Sequence, residues 1–108
     1  MAYKATHRHA RISAQKVRPL ANLIRGEKVD DALAILKFQP HRGARMLEKV
    51  LASAFANAED RGAPNKAGLR VVDVRIDGGP MFKRLRPGAR GMAHIIKKRF
   101  SHITVAVE

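Results

Sequence analysis

The sequence predicts an α+β fold in which a small three-stranded antiparallel sheet packs on three helices and a long β-hairpin protrudes. Apolar residues recur at helical spacing between positions 14 and 58, and they alternate with polar residues at 69–77 and 101–108. The twenty residues of 79–98, between the two alternating segments, include no acid. Because 108 residues suffice for one hydrophobic core, we expect a single domain, 1–108, with the extended hairpin at about 79–98.

A first helix is predicted over Ala14–Arg25. Ser13 is a favourable N-cap, and Gly26 can adopt the left-handed conformation that often ends a helix. Pro19 lies inside the segment and lacks a backbone donor, so it should bend the helix or shorten its first turn. The residues expected to face the core are Val17, Leu20, Ala21 and Ile24.

Two more helices are predicted on either side of Pro40. The shorter covers Ala32–Phe38 and follows Asp30 and Asp31, whose carboxylates favour a helix N-terminus. The longer runs from about His41 to Asn57 and is strongly amphipathic. Its expected core face consists of Leu47, Val50, Leu51, Ala54, Phe55 and Ala58.

Three strands are predicted around these helices. Apolar and polar residues alternate in Leu69–Asp77 and in Ser101–Glu108, as is typical of half-buried strands, and we expect these two strands to pair. The segment Tyr3–Arg11 alternates less clearly and can add the third strand. The positions expected to face the core are Val72, Val74, Ile76, Ile103, Val105 and Val107.

A structureless stretch as long as Gly79–Lys98 is uncommon inside a compact domain. If the flanking strands continue outward, the turn falls near Pro87–Gly91, and arms of about ten residues at ~3.3 Å each would protrude by about 30 Å. The residues 78–80 should form a bend. An isolated hairpin is marginal in water, so a partner should cover the apolar side chains of Met81, Phe82, Leu85, Met92, Ile95 and Ile96. The alternative is a disordered basic loop that orders on binding.

The positive charge is concentrated at the two ends of the chain. Lysine and arginine number 22 against 9 acids, for a formal net charge of +13. Residues 1–26 contain six bases and residues 78–107 contain seven, both without an acid, whereas 27–77 is nearly neutral. Acid-free blocks of this kind are typical of surfaces that contact a polyanion, and they predict a nucleic-acid partner.

Other classes of protein fit the sequence poorly. The absence of cysteine excludes a disulfide scaffold, a zinc-thiolate site and a thiol enzyme, and it is typical of a reducing, cytoplasmic compartment. The longest apolar run, Ala32–Leu36, is too short for a membrane span. His7 and His9 should share one face of a strand, but no carboxylate accompanies them at metal-binding spacing. Since no phosphate-binding glycine loop or nucleophile arrangement is recognisable either, we expect no enzyme activity, cofactor, metal or small-molecule substrate.

Four blocks, in order along nearly the whole chain, form a more specific pattern. They are Arg11–Arg18 with Leu23–Gly26, then Ala54–Ala58, then Gly79-Pro80-x-x-Lys83-Arg84-x-x-Pro87, and finally Lys98-Arg99-x-Ser101-His102-Ile103-Thr104-Val105. In these blocks the chain resembles the ribosomal protein 22 family of the bacterial large ribosomal subunit.

The resemblance implies an α+β part on the outside of the large subunit, bound to 23S-type rRNA and to other large-subunit proteins in the cytoplasm. It also implies that the hairpin lines the polypeptide exit tunnel and meets the nascent polypeptide. The residues that it and the charge blocks assign to rRNA binding are Lys4, Arg8, Arg11, Lys16, Arg18, Arg25, Lys83, Arg84, Arg86, Arg90, Lys97, Lys98, Arg99 and His102. The residues of the tunnel hairpin tip would be Arg86, Pro87, Gly88, Ala89, Arg90, Gly91 and Met92.

The tip departs from the family pattern. Gly88 and Met92 stand where the family commonly has arginine, so this tip is less basic. Composition alone also permits a different hypothesis, a free-standing architectural DNA-binding protein with a basic β-ribbon arm.

Overall fold

The computed structural model describes residues 2–108 and confirms the predicted α+β class and the order of its elements. The chain forms β1 (Tyr3–Ala10), α1 (Ala14–Ile24), α2 (Val29–Phe38), α3 (Arg42–Asp60), β2 (Val71–Pro87) and β3 (Ala93–Val107), with single turns of 3₁₀ helix at Lys66–Gly68 and Ala89–Gly91. The third helix continues three residues beyond its predicted end at Asn57.

The sheet has the strand order β1–β3–β2, and both pairings are antiparallel. The helices lie against one face of it: α3 contacts β1 and β3, and α1 contacts β2 and α3. Side chains from both layers form one hydrophobic core, to which α2 adds Val29, Ala32 and Leu36. The opposite face of the sheet has no helix layer among the described residues.

The core face predicted for α1 is confirmed, because its four expected residues are all buried. The helix begins at Ala14, so Pro19 does not shorten the first turn; it lies on the exposed side. Ser13 occupies the N-cap position without a side-chain capping hydrogen bond. Gly26 ends the helix with a φ of 82° and donates its N–H to the Val71 carbonyl at 2.8 Å.

Two strand predictions were wrong, and a β-bulge explains each. The register of β2 shifts between Val71 and Asp73, so Val71 is fully buried and Val72 is 49% exposed. The register of β1 shifts between His7 and Ala10, where His9 has a φ of 59°. The extra residue places His7 opposite core-facing Ile103 and His9 on the other face, so the two histidines do not share a face.

Beyond the core, β2 and β3 continue together as the hairpin. We call the helices and the sheet up to Gly78 on β2 and from Ser101 on β3 the body. The hairpin ladder runs from Met81 opposite Arg99 to Pro87 opposite Ala93, and the bend predicted at 78–80 is a β-bulge between Gly78 and Met81. The molecule is therefore elongated, with dimensions of 64 × 24 × 16 Å.

The hairpin exposes most of the apolar side chains predicted to need a partner. Met81, Phe82, Leu85, Met92 and Ile95 are 40–75% exposed, whereas Ile96 is half-buried. The hairpin is held together by the antiparallel pairing of β2 and β3 and not by packing against a second layer of helices or strands.

Candidate nucleic-acid interface

The two acid-free blocks of the sequence meet in one cleft. The cleft has a volume of about 490 Å³ and lies between the N-terminus of α1 and the base of the hairpin. Six of its lining residues are cationic: Arg11, Lys16, Arg42, Lys97, Lys98 and Arg99. The remaining lining residues, Ile12, Ser13, Gln15 and Phe100, are uncharged. We call this site the basic cleft.

The start of α1 adds to the positive potential of the basic cleft. A helix N-terminus presents backbone N–H groups without intrahelical partners and carries the positive end of the helix dipole. Within the described residues, no acidic side chain lies in the first turn of α1, and the Ser13 hydroxyl does not occupy those donors. A phosphate group matches such a site in charge and in hydrogen-bonding capacity.

Arg42 is a member of the basic cleft that sequence reasoning missed. It belongs to the nearly neutral segment 27–77, so counting charges along the chain does not single it out. In the fold it begins α3 beside the segment that leads into α1, where its guanidinium donates a hydrogen bond to the Arg11 carbonyl. Three-dimensional packing, rather than any local pattern, brings it to the cleft.

The predicted rRNA-binding residues divide into three groups. The basic cleft contains Arg11, Lys16, Lys97, Lys98 and Arg99, the more distal hairpin carries Lys83, Arg84, Arg86 and Arg90, and the body holds Lys4, Arg8, Arg18, Arg25 and His102. The last group is not gathered at one place. His102 is used within the sheet, because its Nδ1 accepts the His9 N–H at 3.1 Å.

The two faces of the hairpin differ in chemistry although they carry equal numbers of cations. Ladder register and strand alternation define an aromatic face, with Phe82, Arg84, Arg86, His94, Ile96, Lys98 and Phe100, and an aliphatic face, with Met81, Lys83, Leu85, Pro87, Ala93, Ile95, Lys97 and Arg99. Each face has three lysine or arginine side chains. Planar side chains, however, are concentrated on the aromatic face.

The predicted turn at the hairpin tip is confirmed. The 3₁₀ turn Ala89–Gly91 reverses the chain, with Arg90 in the left-handed region at a φ of 58°. A Cβ atom on Gly88 would lie 2.6 Å from the ring of His94 and 2.8 Å from the Met92 carbonyl oxygen. An arginine in place of Gly88 would therefore have to displace His94. The glycine at position 88, which makes the tip less basic, leaves room for the His94 ring.

Two candidate RNA-binding arginines are already bonded within the body. Arg18 Nη2 donates to the Ile76 carbonyl at 3.2 Å, and Arg25 Nη2 donates to the Val74 carbonyl at 2.6 Å. The first bond joins α1 to β2, and the second joins Arg25, the C-cap residue of α1, to the same strand. These guanidinium groups therefore contribute to the packing of the fold as well as to its charge.

Arg25→Met should lower the free energy of unfolding by about 1 kcal/mol, because it removes a charge-assisted but partly solvated hydrogen bond. Arg8→Met is a matched control: Arg8 is exposed, and its side chain has no hydrogen-bond partner among residues 2–108. We expect this control to retain stability and to weaken RNA binding. Urea unfolding and RNA titration measure the two effects. Equal stabilities for the two variants would show that the Arg25 bond does not hold α1 to β2.

Residues 2–108 contain no group of three or more histidine, cysteine, aspartate or glutamate side chains able to hold a metal ion. No helix in the same range is long and apolar enough to cross a membrane.

Known proteins resemble this chain over nearly its full length. Residues 5–108 match the model of the family described as ribosomal protein L22p/L17e. The chain is 56% identical over 110 residues to the large ribosomal subunit protein uL22 of Rhodopirellula baltica, covering 97% of this chain and 92% of that protein. It is 52% identical to uL22 of Caldicellulosiruptor saccharolyticus, covering 96% of this chain and 85% of that protein. It is 51% identical to uL22 of Finegoldia magna, covering 100% of this chain and 96% of that protein. The chain therefore belongs to the ribosomal protein L22p/L17e family.

Proposed function

We propose that this chain is a structural, non-enzymatic constituent of the large ribosomal subunit in the cytoplasm, where it binds 23S-type rRNA and supports subunit assembly. The basic cleft is the observation that carries the proposal. It brings Arg11–Lys16, from the first acid-free block, to the N-terminus of α1 and together with Lys97–Phe100, from the second block, more than eighty positions further along the chain. The clustered positive charges repel one another, which opposes folding. A bound polyanion would offset this repulsion.

We propose further that the hairpin enters the subunit and lines the polypeptide exit tunnel. Its length, its exposed apolar side chains and the lack of a second layer over it support this role, because rRNA and neighbouring large-subunit proteins would supply the missing surroundings. The nascent polypeptide is then the partner of the hairpin tip, Arg86–Met92. The proposed rRNA contacts are the cations of the basic cleft and of the hairpin, together with Arg8, which is exposed and has no hydrogen-bond partner within residues 2–108.

Competition between 23S-type rRNA and duplex DNA at matched salt tests the proposed function. We expect rRNA to bind more tightly, and with about 6 to 10 phosphate contacts its affinity should fall by roughly 10³ to 10⁵ between 50 and 200 mM salt, by the rule for duplex DNA. Equal affinities for the two nucleic acids would overturn the ribosomal proposal and favour the DNA-binding hypothesis.

A matched pair of triple variants locates the binding surface in the same assay. Lys16→Gln, Lys97→Gln and Arg99→Gln together remove three charges from the basic cleft, and Lys37→Gln, Lys49→Gln and Lys66→Gln remove three from the nearly neutral middle segment. The first set should reduce the slope of log affinity against log salt by about 2 to 3, at about 0.7 to 0.9 per phosphate contact. The second set should leave the slope unchanged. Equal losses from the two sets would show that the cleft is not the binding site.

A further inference from the structure

Three planar side chains form a cluster on the aromatic face at the base of the hairpin. The rings of Phe82 and Phe100 pack edge to face, with their centroids 5.4 Å apart and an angle of 80° between their planes. The guanidinium carbon of Arg84 lies 5.6 Å from the centre of the Phe82 ring, within the range of a cation–π contact. We call Phe82, Arg84 and Phe100 the aromatic cluster.

The aromatic cluster remains open to solvent. Phe82 is 48% exposed and Arg84 is exposed, whereas Phe100 is half-buried. A phenylalanine has no polar group that gains from contact with water, so this arrangement leaves apolar ring surface to be covered by a partner. Because the cluster belongs to the aromatic face, which continues the side of the sheet without helices, no element of the described chain covers it.

The charges around the aromatic cluster define what can cover it. Lys98 stands opposite Phe82 in the ladder, and Arg86 follows Arg84 on the same face. The segment 78–107 includes no acid. The matching ligand therefore has a planar, apolar face and negative charge beside it, which is the chemistry of a nucleotide within an RNA strand.

We propose that the aromatic cluster is a stacking platform for an unpaired nucleobase of RNA, whereas the aliphatic face of the hairpin does not stack bases. This inference rests on the proposed RNA-binding function and assigns one of its contacts. Bases in a duplex have their faces covered by neighbouring pairs, so the ligand is a base in a loop, a bulge or an end. Lys98 and Arg86 then lie where they can reach the phosphates on either side of that base.

Single-tryptophan variants of the full chain report on the two faces separately, because the chain contains no tryptophan. Phe82→Trp places an indole in the aromatic cluster, and Leu85→Trp places one on the aliphatic face, at a site that is 75% exposed. Stacking of a nucleobase quenches indole fluorescence. Transcribed 23S-type rRNA is the probe, and inorganic polyphosphate is the control polyanion that carries no bases.

We expect rRNA to quench the fluorescence of Phe82→Trp strongly and that of Leu85→Trp weakly, and we expect polyphosphate to quench neither. Phe82→Leu, which keeps an apolar side chain but loses the ring, should weaken rRNA affinity by about 5- to 150-fold, the range found for loss of one base–aromatic stack. Leu85→Ala, which removes aliphatic surface but no ring, should weaken rRNA affinity by less than Phe82→Leu does.

Equal quenching at both positions, quenching of Phe82→Trp by polyphosphate, or an unchanged affinity of Phe82→Leu would overturn the platform. If both tryptophan variants bind rRNA in preference to duplex DNA without quenching at position 82, the platform is wrong and the proposed function stands. If the unsubstituted chain does not prefer rRNA to duplex DNA, both the stacking platform and the proposed function are wrong.

Discussion

A variant in which Asn-Gly replaces residues 82–97 should retain the folded body but bind 23S-type rRNA more weakly and with a shallower salt dependence. The replacement removes five cations, Lys83, Arg84, Arg86, Arg90 and Lys97. If each of them contacts a phosphate, the slope of log affinity against log salt should decrease by about 3 to 5, at about 0.7 to 0.9 per contact. The body should survive because the buried residues of β2 end at Ile76 and those of β3 begin at Ser101.

Titration of the rRNA at several salt concentrations measures this slope, and circular dichroism checks that the helices remain. A full-length variant with the same five cations changed to glutamine distinguishes the effect of the lost charges from the effect of the missing hairpin. It should show the same loss of slope as the shortened chain but should bind rRNA more tightly, because it keeps the ring of Phe82. A shortened chain with an unchanged slope would show that these hairpin cations do not contact phosphates.

The sequence predicted the elements well wherever a single regular period governs them. The stripe from Val17 to Ile24 and the alternation from Ser101 to Val107 each extend without interruption through one element, and both predictions are confirmed. The errors occur where one extra residue in a strand shifts the alternation of core-facing and outward-facing side chains by one position. Neither the bulge that exposes Val72 nor the one that separates His7 from His9 has a signature of its own in the local sequence, because the pairing of β2 and of β1 with β3 determines them.

The candidate site was likewise predicted only in part from the sequence. Charge counting identified the two acid-free blocks, but it could not show that Lys16 and Lys98 line the same cleft, because that contact depends on how α1 packs beside β3. Nor could it separate Arg8, whose side chain is unbonded within residues 2–108, from Arg25, which is bonded to β2. The contrast between the faces of the hairpin likewise required the ladder register that places Phe82 opposite Lys98.

Ile103→Ala should lower the free energy of unfolding by about 2 to 5 kcal/mol, a large part of the roughly 5 to 15 kcal/mol that stabilises a typical domain. Ile103 is fully buried between Ile76 and His7 in the centre of the sheet, so its truncation leaves a cavity under the helices. Ile95→Ala is the matched control. It makes the same change on the same face of β3, but at a position that is 59% exposed and lies opposite Leu85 in the hairpin.

The comparison isolates the effect of the core because the loss of β-propensity on changing isoleucine to alanine is common to both variants. Ile95→Ala should therefore lower the free energy of unfolding by no more than about 1 kcal/mol, the span of the β-propensity scale. Urea unfolding followed by the circular dichroism of the helices measures both. If Ile95→Ala destabilised the chain as much as Ile103→Ala, the hairpin would have to unfold cooperatively with the body. The shortened chain would then lose its helices too, whereas a large difference between the two variants, together with helices retained in the shortened chain, is the result expected if the body folds without the hairpin.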